Sequence, residues 1–312
     1  MGLERYGCFF ALLRAALHPG DGPFCPGGAD WQFIYDTAVR HCVQGVMYDA
    51  VKDLPAGSGV SPVLAAGWLS DALQAERDYA RIREVSGRLA ALWKAAGVDA
   101  QVLKGLECAR FYPVPEHRIN GDIDWWMRGE ESWNRALEVL KDKGIQWSVD
   151  SDGDLCYEVD GVVVEHHRSG FVEDSPEAEL LFLAEHVFHH AAVSGVGLRQ
   201  LCDYAMALER LEGKYDREHY LALASSAGLS GWVRLLESAL SVVREVDCPP
   251  CCLGSRVRTL LELVMDDGNF GLGRGKRFRY IFRRLYAVGL SAPVRFAGRW
   301  VGLAVGRIKR IV

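Results

Sequence analysis

The stretch Asn120-Gly121-Asp122-Ile123-Asp124-Trp125-Trp126-Met127 sets two carboxylates, two positions apart, at the head of an apolar run. On a strand, residues i and i+2 share a face about 6.6 Å apart, so this pair can hold divalent cations while Ile123 turns back into a core. Trp125, Trp126 and Met127 anchor the far end. Two solvated aspartates at a strand start would leave the same pattern, so the neighbours decide the meaning.

Upstream, Val98 to Leu103 reads as a strand ending at Lys104-Gly105, followed by a short helix over Leu106 to Phe111 and a break at Tyr112-Pro113-Val114-Pro115. A glycine turn leading into a helix start suits phosphate, because backbone amides and the helix dipole face it, and Lys104 adds charge. Arg118, four residues before Asp122, offers a guanidinium fork for a triphosphate. Downstream come an amphipathic helix over Trp133 to Lys143 and three strands, Ile145 to Val149, Asp154 to Val159 and Val162 to His166. Turns fall at Asp152-Gly153 and Asp160-Gly161, the latter an Asp-Gly hairpin signal. Val162-Val163-Val164-Glu165-His166-His167 is a β-branched run closing on an acid. A third carboxylate there can complete an octahedral magnesium site, or it can be an edge-strand glutamate facing water.

Around this segment the periodicity is helical. Arg5 to Leu17, Trp31 to Val51 and Pro62 to Ala96 are expected helices, the last with Leu64, Trp68, Leu73, Leu89 and Leu92 along its buried stripe. After Pro176 helices are expected over Leu180 to Ser194, Leu198 to Leu211, Arg217 to Ala227, Trp232 to Val246, Arg256 to Met265 and much of Lys276 to Val305. The fold class is therefore α+β: a small mixed sheet embedded between helical regions. The expected domains are a helical region over 1–96, an α/β core over 97–175 and a C-terminal helical region with a basic tail over 176–312.

Composition narrows the function classes. At 312 residues, 49% hydrophobic and 25% charged, the chain has the balance of a globular protein, with no apolar run long enough to span a bilayer. The start, Met1 to Arg14, reads as a helix and not as a signal peptide. Nine scattered cysteines fit a reducing, cytoplasmic setting. Cys248-Pro-Pro-Cys251-Cys252 has half the spacing of a zinc site and no second pair to complete it. Residues 268–312 hold eleven Lys or Arg and no Asp or Glu. The remainder is left with 25 basic against 41 acidic residues, a net of −16. Such a tail either docks on the acidic body or meets an anionic membrane surface or other polyanion, which fits peripheral attachment.

Taken together, Leu103-Lys104-Gly105, Tyr112-Pro113, Arg118, Asp122-Ile123-Asp124 and Val164-Glu165-His166 resemble, in order and spacing, the bacterial uncharacterised nucleotidyltransferase family. That family belongs to the DNA polymerase β-like nucleotidyltransferase superfamily. The resemblance continues into Glu185-His186-Val187-Phe188-His189-His190 and Leu198-Arg199-Gln200-Leu201-Cys202-Asp203. It implies a two-metal centre (Mg2+ or Mn2+) that transfers NMP from an NTP, ATP being the expected donor, to a hydroxyl acceptor with release of pyrophosphate. Asp122, Asp124 and Glu165 would be the metal-binding, catalytic carboxylates, and Lys104, Gly105 and Arg118 would grip the triphosphate. The acceptor, whether small molecule, glycan precursor or protein, is not implied. One position departs: the superfamily's Gly-Ser or Gly-Gly is here Gly105-Leu106. That departure leaves room for a different class of function, a non-catalytic nucleotide-binding or regulatory protein docking through its basic region. His186, His189 and His190 share a helix face and read as structural or supporting groups.

Overall fold

The computed structural model describes residues 2–20, 28–150, 153–244, 254–269 and 277–298, with the side chains of 277–280 left aside. Asp152, Cys25, Cys248, Cys251, Cys252 and the basic residues at 274, 276, 299, 307, 309 and 310 lie outside the described residues. The fold is α+β, a five-stranded mixed sheet within a largely helical chain. It forms two compact units, Asp71–Val172 and Met1–Ser70 together with Glu173–Val312.

The helices are α1 (Gly7–Leu17), α2 (Trp31–Arg40), α3 (Gln44–Val51), α4 (Pro62–Ala95), α5 (Leu106–Ala109), α6 (Gly129–Asp142) and α7 (Pro176–Ala192). They continue with α8 (Leu198–Arg210), α9 (Arg217–Ser226), α10 (Ser230–Ala239), α11 (Ser241–Arg244), α12 (Ser255–Asp267) and α13 (Arg277–Arg284). The strands are β1 (Ala100–Val102), β2 (Asp122–Met127), β3 (Trp147–Val149), β4 (Leu155–Val159) and β5 (Val162–His167).

In the first of these units the sheet order is β1-β2-β5-β4-β3. Only β2 and β5 run parallel, in the register Asp122 to Val163 and Asp124 to Glu165. The other neighbours are antiparallel. Asp160 and Gly161, both at positive φ, make the β4–β5 turn that the Asp-Gly pair predicts. Alternation then sorts the sheet's two faces. Ile123, Trp125, Met127, Leu155, Tyr157, Val162 and Val164 enter one core with Ile82, Val85, Leu89 and Trp93 of α4 and Trp133, Ala136 and Leu140 of α6. The α4 residues recur every three or four positions, so one helix stripe covers the sheet. That stripe differs from the expected one at Leu73, which faces solvent, while Ala72 and Ala75 are buried in its stead.

The helical unit is built on caps and short breaks. Ser175 accepts from the Ala178 amide to start α7, with Pro176 at its first position, and Asp216 caps α9. Within it α1 packs on α3, and α7 on α8 and α9. Two expected helices are each divided. The pattern over Trp31 to Val51 breaks between α2 and α3, where Cys42 takes φ 54°, and Trp232 to Val246 breaks at Leu240 between α10 and α11. Beyond α13 the chain makes a π-helical turn over Leu285–Gly289, and residues 293–298 are helical. No helix among the described residues is long and apolar enough to cross a membrane.

Candidate active site

The sheet face opposite the core carries Asp122, Asp124 and Trp126 of β2, Glu165 and His167 of β5, and Cys156 of β4. Because β2 and β5 are parallel and in register, Asp124 and Glu165 are lateral neighbours on that face. Asp124 is 1% exposed, whereas Asp122, at the strand's first position, is half-buried. Ligand atoms of Asp124, Glu165 and His167 all lie within 4.8 Å of one another; Asp122 does not belong to that group.

Lys104 sits just past β1. The Leu103 amide bonds to the Asp124 carbonyl, which brings the next side chain over the carboxylates. Its Nζ lies 2.9 Å from Asp124 Oδ1. The same oxygen is 2.8 Å from His167 Nε2, and His167 Nδ1 is 2.8 Å from Asp154 Oδ2. Glu165 Oε2 lies 3.8 Å from His167 Nε2. Asp124 Oδ2, by contrast, is buried with no hydrogen-bond partner among the described residues. A buried carboxylate oxygen without a donor is costly, and a bound water or a cation relieves it. With Glu165 alongside, these oxygens suit a hard divalent cation.

The titration of the cluster follows from its neighbours. Burial alone would raise the Asp124 carboxyl, yet Lys104 and His167 hold it at about 2. Burial would lower His167, but its hydrogen bonds to Asp124 and Asp154 raise it to about 9, so it is an imidazolium at neutral pH. Burial and then the Asp124 charge push Glu165 above the usual carboxylate range. Lys104 is raised, the attraction of Asp124 and Asp122 outweighing burial.

Gly105 adopts φ 67°, and a Cβ there would meet the Asp122 carbonyl oxygen at 3.4 Å and Asn120 Oδ1 at 3.6 Å. Glycine thus lets the turn after β1 lie against the start of β2. The helix that follows, α5, is a single turn, shorter than the expected Leu106 to Phe111, so its dipole is small. Leu106 packs against the sheet core. Arg118 is buried and donates to the Ile119 carbonyl and, at 2.6 Å, to Asn120 Oδ1. Both of these hydrogen bonds run to the loop before β2.

Two residues were not singled out from the sequence, His167 and Asp154. Strand parity carried the signal for His167: it stands two positions after Glu165 and so shares its face, while His166 turns inward against Tyr157 and Trp93. Asp154 precedes β4, and only the folded sheet brings it to the ring. Trp126 extends the face, with Arg128 4.7 Å over its ring and Phe171 edge-on at 6.3 Å.

In the helical unit, His186 and His190 stack edge to face at 4.5 Å, and His190 Nδ1 bonds Ser194 Oγ. No metal-binding group among the described residues includes them. Glu173, Glu177 and His219 do converge there, but Glu177 already accepts from the Asp216 amide.

A family model described as uncharacterised nucleotidyltransferase matches residues 27–174 and 169–246, and so spans both units. No curated protein and no solved structure matches the chain.

Proposed function

We propose, since the chain belongs to the uncharacterised nucleotidyltransferase family, that its sheet unit transfers a nucleoside monophosphate from a nucleoside triphosphate to a hydroxyl acceptor. ATP is the expected donor, and Asp122, Asp124 and Glu165 the carboxylates that hold Mg2+ or Mn2+. The observation carrying this reading is the buried, donor-free Asp124 Oδ2 beside Glu165. A cation bound there neutralises the triphosphate and the charge that develops on the reacting oxygens.

The rest falls to the chain's own groups. Lys104 spends one of its three N–H donors on Asp124 and has geometry to offer the others to triphosphate oxygens. Gly105 lets the backbone approach closely, and Arg118 supports the pocket through the Asn120 loop. Glu165 is the candidate acceptor of the hydroxyl proton. The acceptor oxygen then bonds to the α-phosphorus, the bond to the bridging oxygen breaks, and pyrophosphate leaves.

The test is incubation with each NTP, labelled at the α- or the γ-phosphate, and Mg2+ or Mn2+, in the presence of a lysate. Label from the α-phosphate is expected on the acceptor or on the protein itself, and none from the γ-phosphate. Absence of transfer from all four NTPs with either metal would remove the reading.

A second reading, docking on an anionic lipid surface, is supported by one feature. Ile281, Phe282, Leu285, Tyr286 and Leu290 stand exposed at helical spacing in the basic C-terminal region. It would make the chain a peripheral, nucleotide-binding or regulatory protein.

A further inference from the structure

The proposed transfer brings two substrates to one sheet face, and the charges around that face are unevenly spread. Lys104 and Arg128 stand just past the ends of β1 and β2, whereas β3, β4 and β5 contain neither Lys nor Arg. Arg168, the residue after β5, turns to the core side, its guanidinium 4.0 Å over the Trp133 ring. Near the β4–β5 turn, Arg81 and Arg88 of α4 meet Asp78 and Asp160.

The acids lie the other way. Strand pairing sets Glu165, Cys156 and Ser148 in one row across the face, from β5 to the edge strand β3. Cys156 is half-buried and Ser148 exposed, so short side chains make a shallow floor beside Glu165. Glu158, two positions along β4 and exposed, borders this floor on one side. Asp154 and Asp150 border it on the other, Asp154 bonded to His167 and Asp150 accepting from the Asp154 amide. A separate observation marks the face as a place for a ligand. Asp124 Oδ2, on a side chain 1% exposed, has no donor among the described residues.

Charge then sorts the two substrates. A floor bordered by acids and without a cation repels a triphosphate, which is drawn to the Lys104 side and leaves the β5-to-β3 side for the acceptor. We infer that the acceptor is cationic, a hydroxyl compound bearing an amino group, which lies over Cys156 and Ser148 with its ammonium beside Glu158. Its hydroxyl gives the proton to Glu165, the oxygen bonds to the α-phosphorus, and pyrophosphate leaves on the Lys104 side. Strand spacing puts the ammonium about 5–10 Å from that oxygen. A phosphorylated acceptor or a nucleic-acid end would meet the same acids as like charges. The inference rests on the nucleotidyl-transfer reading and names the substrate class that reading leaves open.

The experiment gives the full chain α-labelled NTP, Mg2+ and lysate fractions separated beforehand, by ion exchange at neutral pH, into cationic, neutral and anionic sets. Label is expected mainly on the cationic set. Equal or greater label on the neutral or anionic set, or label on the chain alone, would overturn the inference and leave nucleotidyl transfer standing. Label nowhere would remove both. With the cationic set as acceptor, Glu158→Lys is expected to raise the amount needed for half-maximal transfer by about tenfold or more, with the KM for NTP unchanged. A merely structural role for Glu158 would move both. An unchanged acceptor requirement, or an equal rise in the KM for NTP, would overturn the placement beside Glu158. Should that variant fail to fold by circular dichroism, Glu158→Gln reads the same split with a smaller shift.

Discussion

Asp122 and Asp124 look equivalent in sequence, yet one is half-buried and the other sits fully inside a net of Lys104 and His167. Their asparagine variants should therefore agree in one respect and differ in another. Under the proposed function either substitution is expected to abolish transfer, because each removes a negative charge from the face proposed to hold the cation. Only Asp124→Asn should also cost stability, about 3 kcal/mol, the low end for breaking a buried pair, since Asp122 and Glu165 still face the ammonium. Urea unfolding of the two variants checks this, and equal midpoints would mean that the Lys104–Asp124 contact is not kept in solution. The acids themselves were legible from spacing. Their inequality was not, because it depends on which strand lies alongside: Glu165 reaches Asp124 only through the β2–β5 register.

At the scale of elements, local chemistry told most where it was strongest. The Asp160-Gly161 turn, the alternation of β5 and the helical stripe of α4 follow from backbone preference and side-chain period. The division between α2 and α3 was hidden, since no Gly or Pro marks it. It is made by burial: His41 is 0% exposed and its Nδ1 accepts from the Leu198 amide at the head of α8. Burial, then the nearby Arg40, lowers the His41 pKa from 6.5 to about 3. The unfolded chain thus binds the proton more readily, so the stability present above pH 6.5 is lost as pH falls toward 3. Between roughly pH 7 and pH 5 the loss is about 2 kcal/mol. His41→Gln keeps an acceptor and cannot titrate, so its melting temperature should fall less over that interval. Parallel pH profiles for the variant and the wild type would show that His41 is not held neutral.

Over the whole molecule, the charge asymmetry gains a structural account where the basic residues are described. Arg283 bonds Glu262 and Asp266, and Arg295 bonds Glu185 and the Ala227 carbonyl. Arg284 is buried, bonding Asp267 and the Val193 carbonyl at the end of α7. Ala287, Val288, Ala292 and Phe296 are buried with them. These arginines are spent inside the helical unit, so a chain ending at Asp267 should unfold or precipitate, leaving a buried Asp267 without its guanidinium. A folded truncation that has lost affinity for anionic vesicles would instead favour the lipid reading of the exposed Ile281–Leu290 face. Composition showed that the basic stretch has an anionic counterpart. It could not say that several of its members find that counterpart in their own chain.

The single parallel contact in the sheet also sets an order of assembly. Tight local connections join β4 to β5, while β1 and β2 pair as neighbours on the other side. Joining the two halves requires closing the long excursion through α6, the entropically slower step. Lys104 and Asp124 belong to one half, and Asp154, Glu165 and His167 to the other. A chain emerging from the ribosome therefore carries Asp122 and Asp124 well before Glu165 can be brought beside them. Under the proposed function, metal capture is expected to report the last closure of the sheet, and a nascent or misfolded copy to stay silent toward nucleotide until that closure is made.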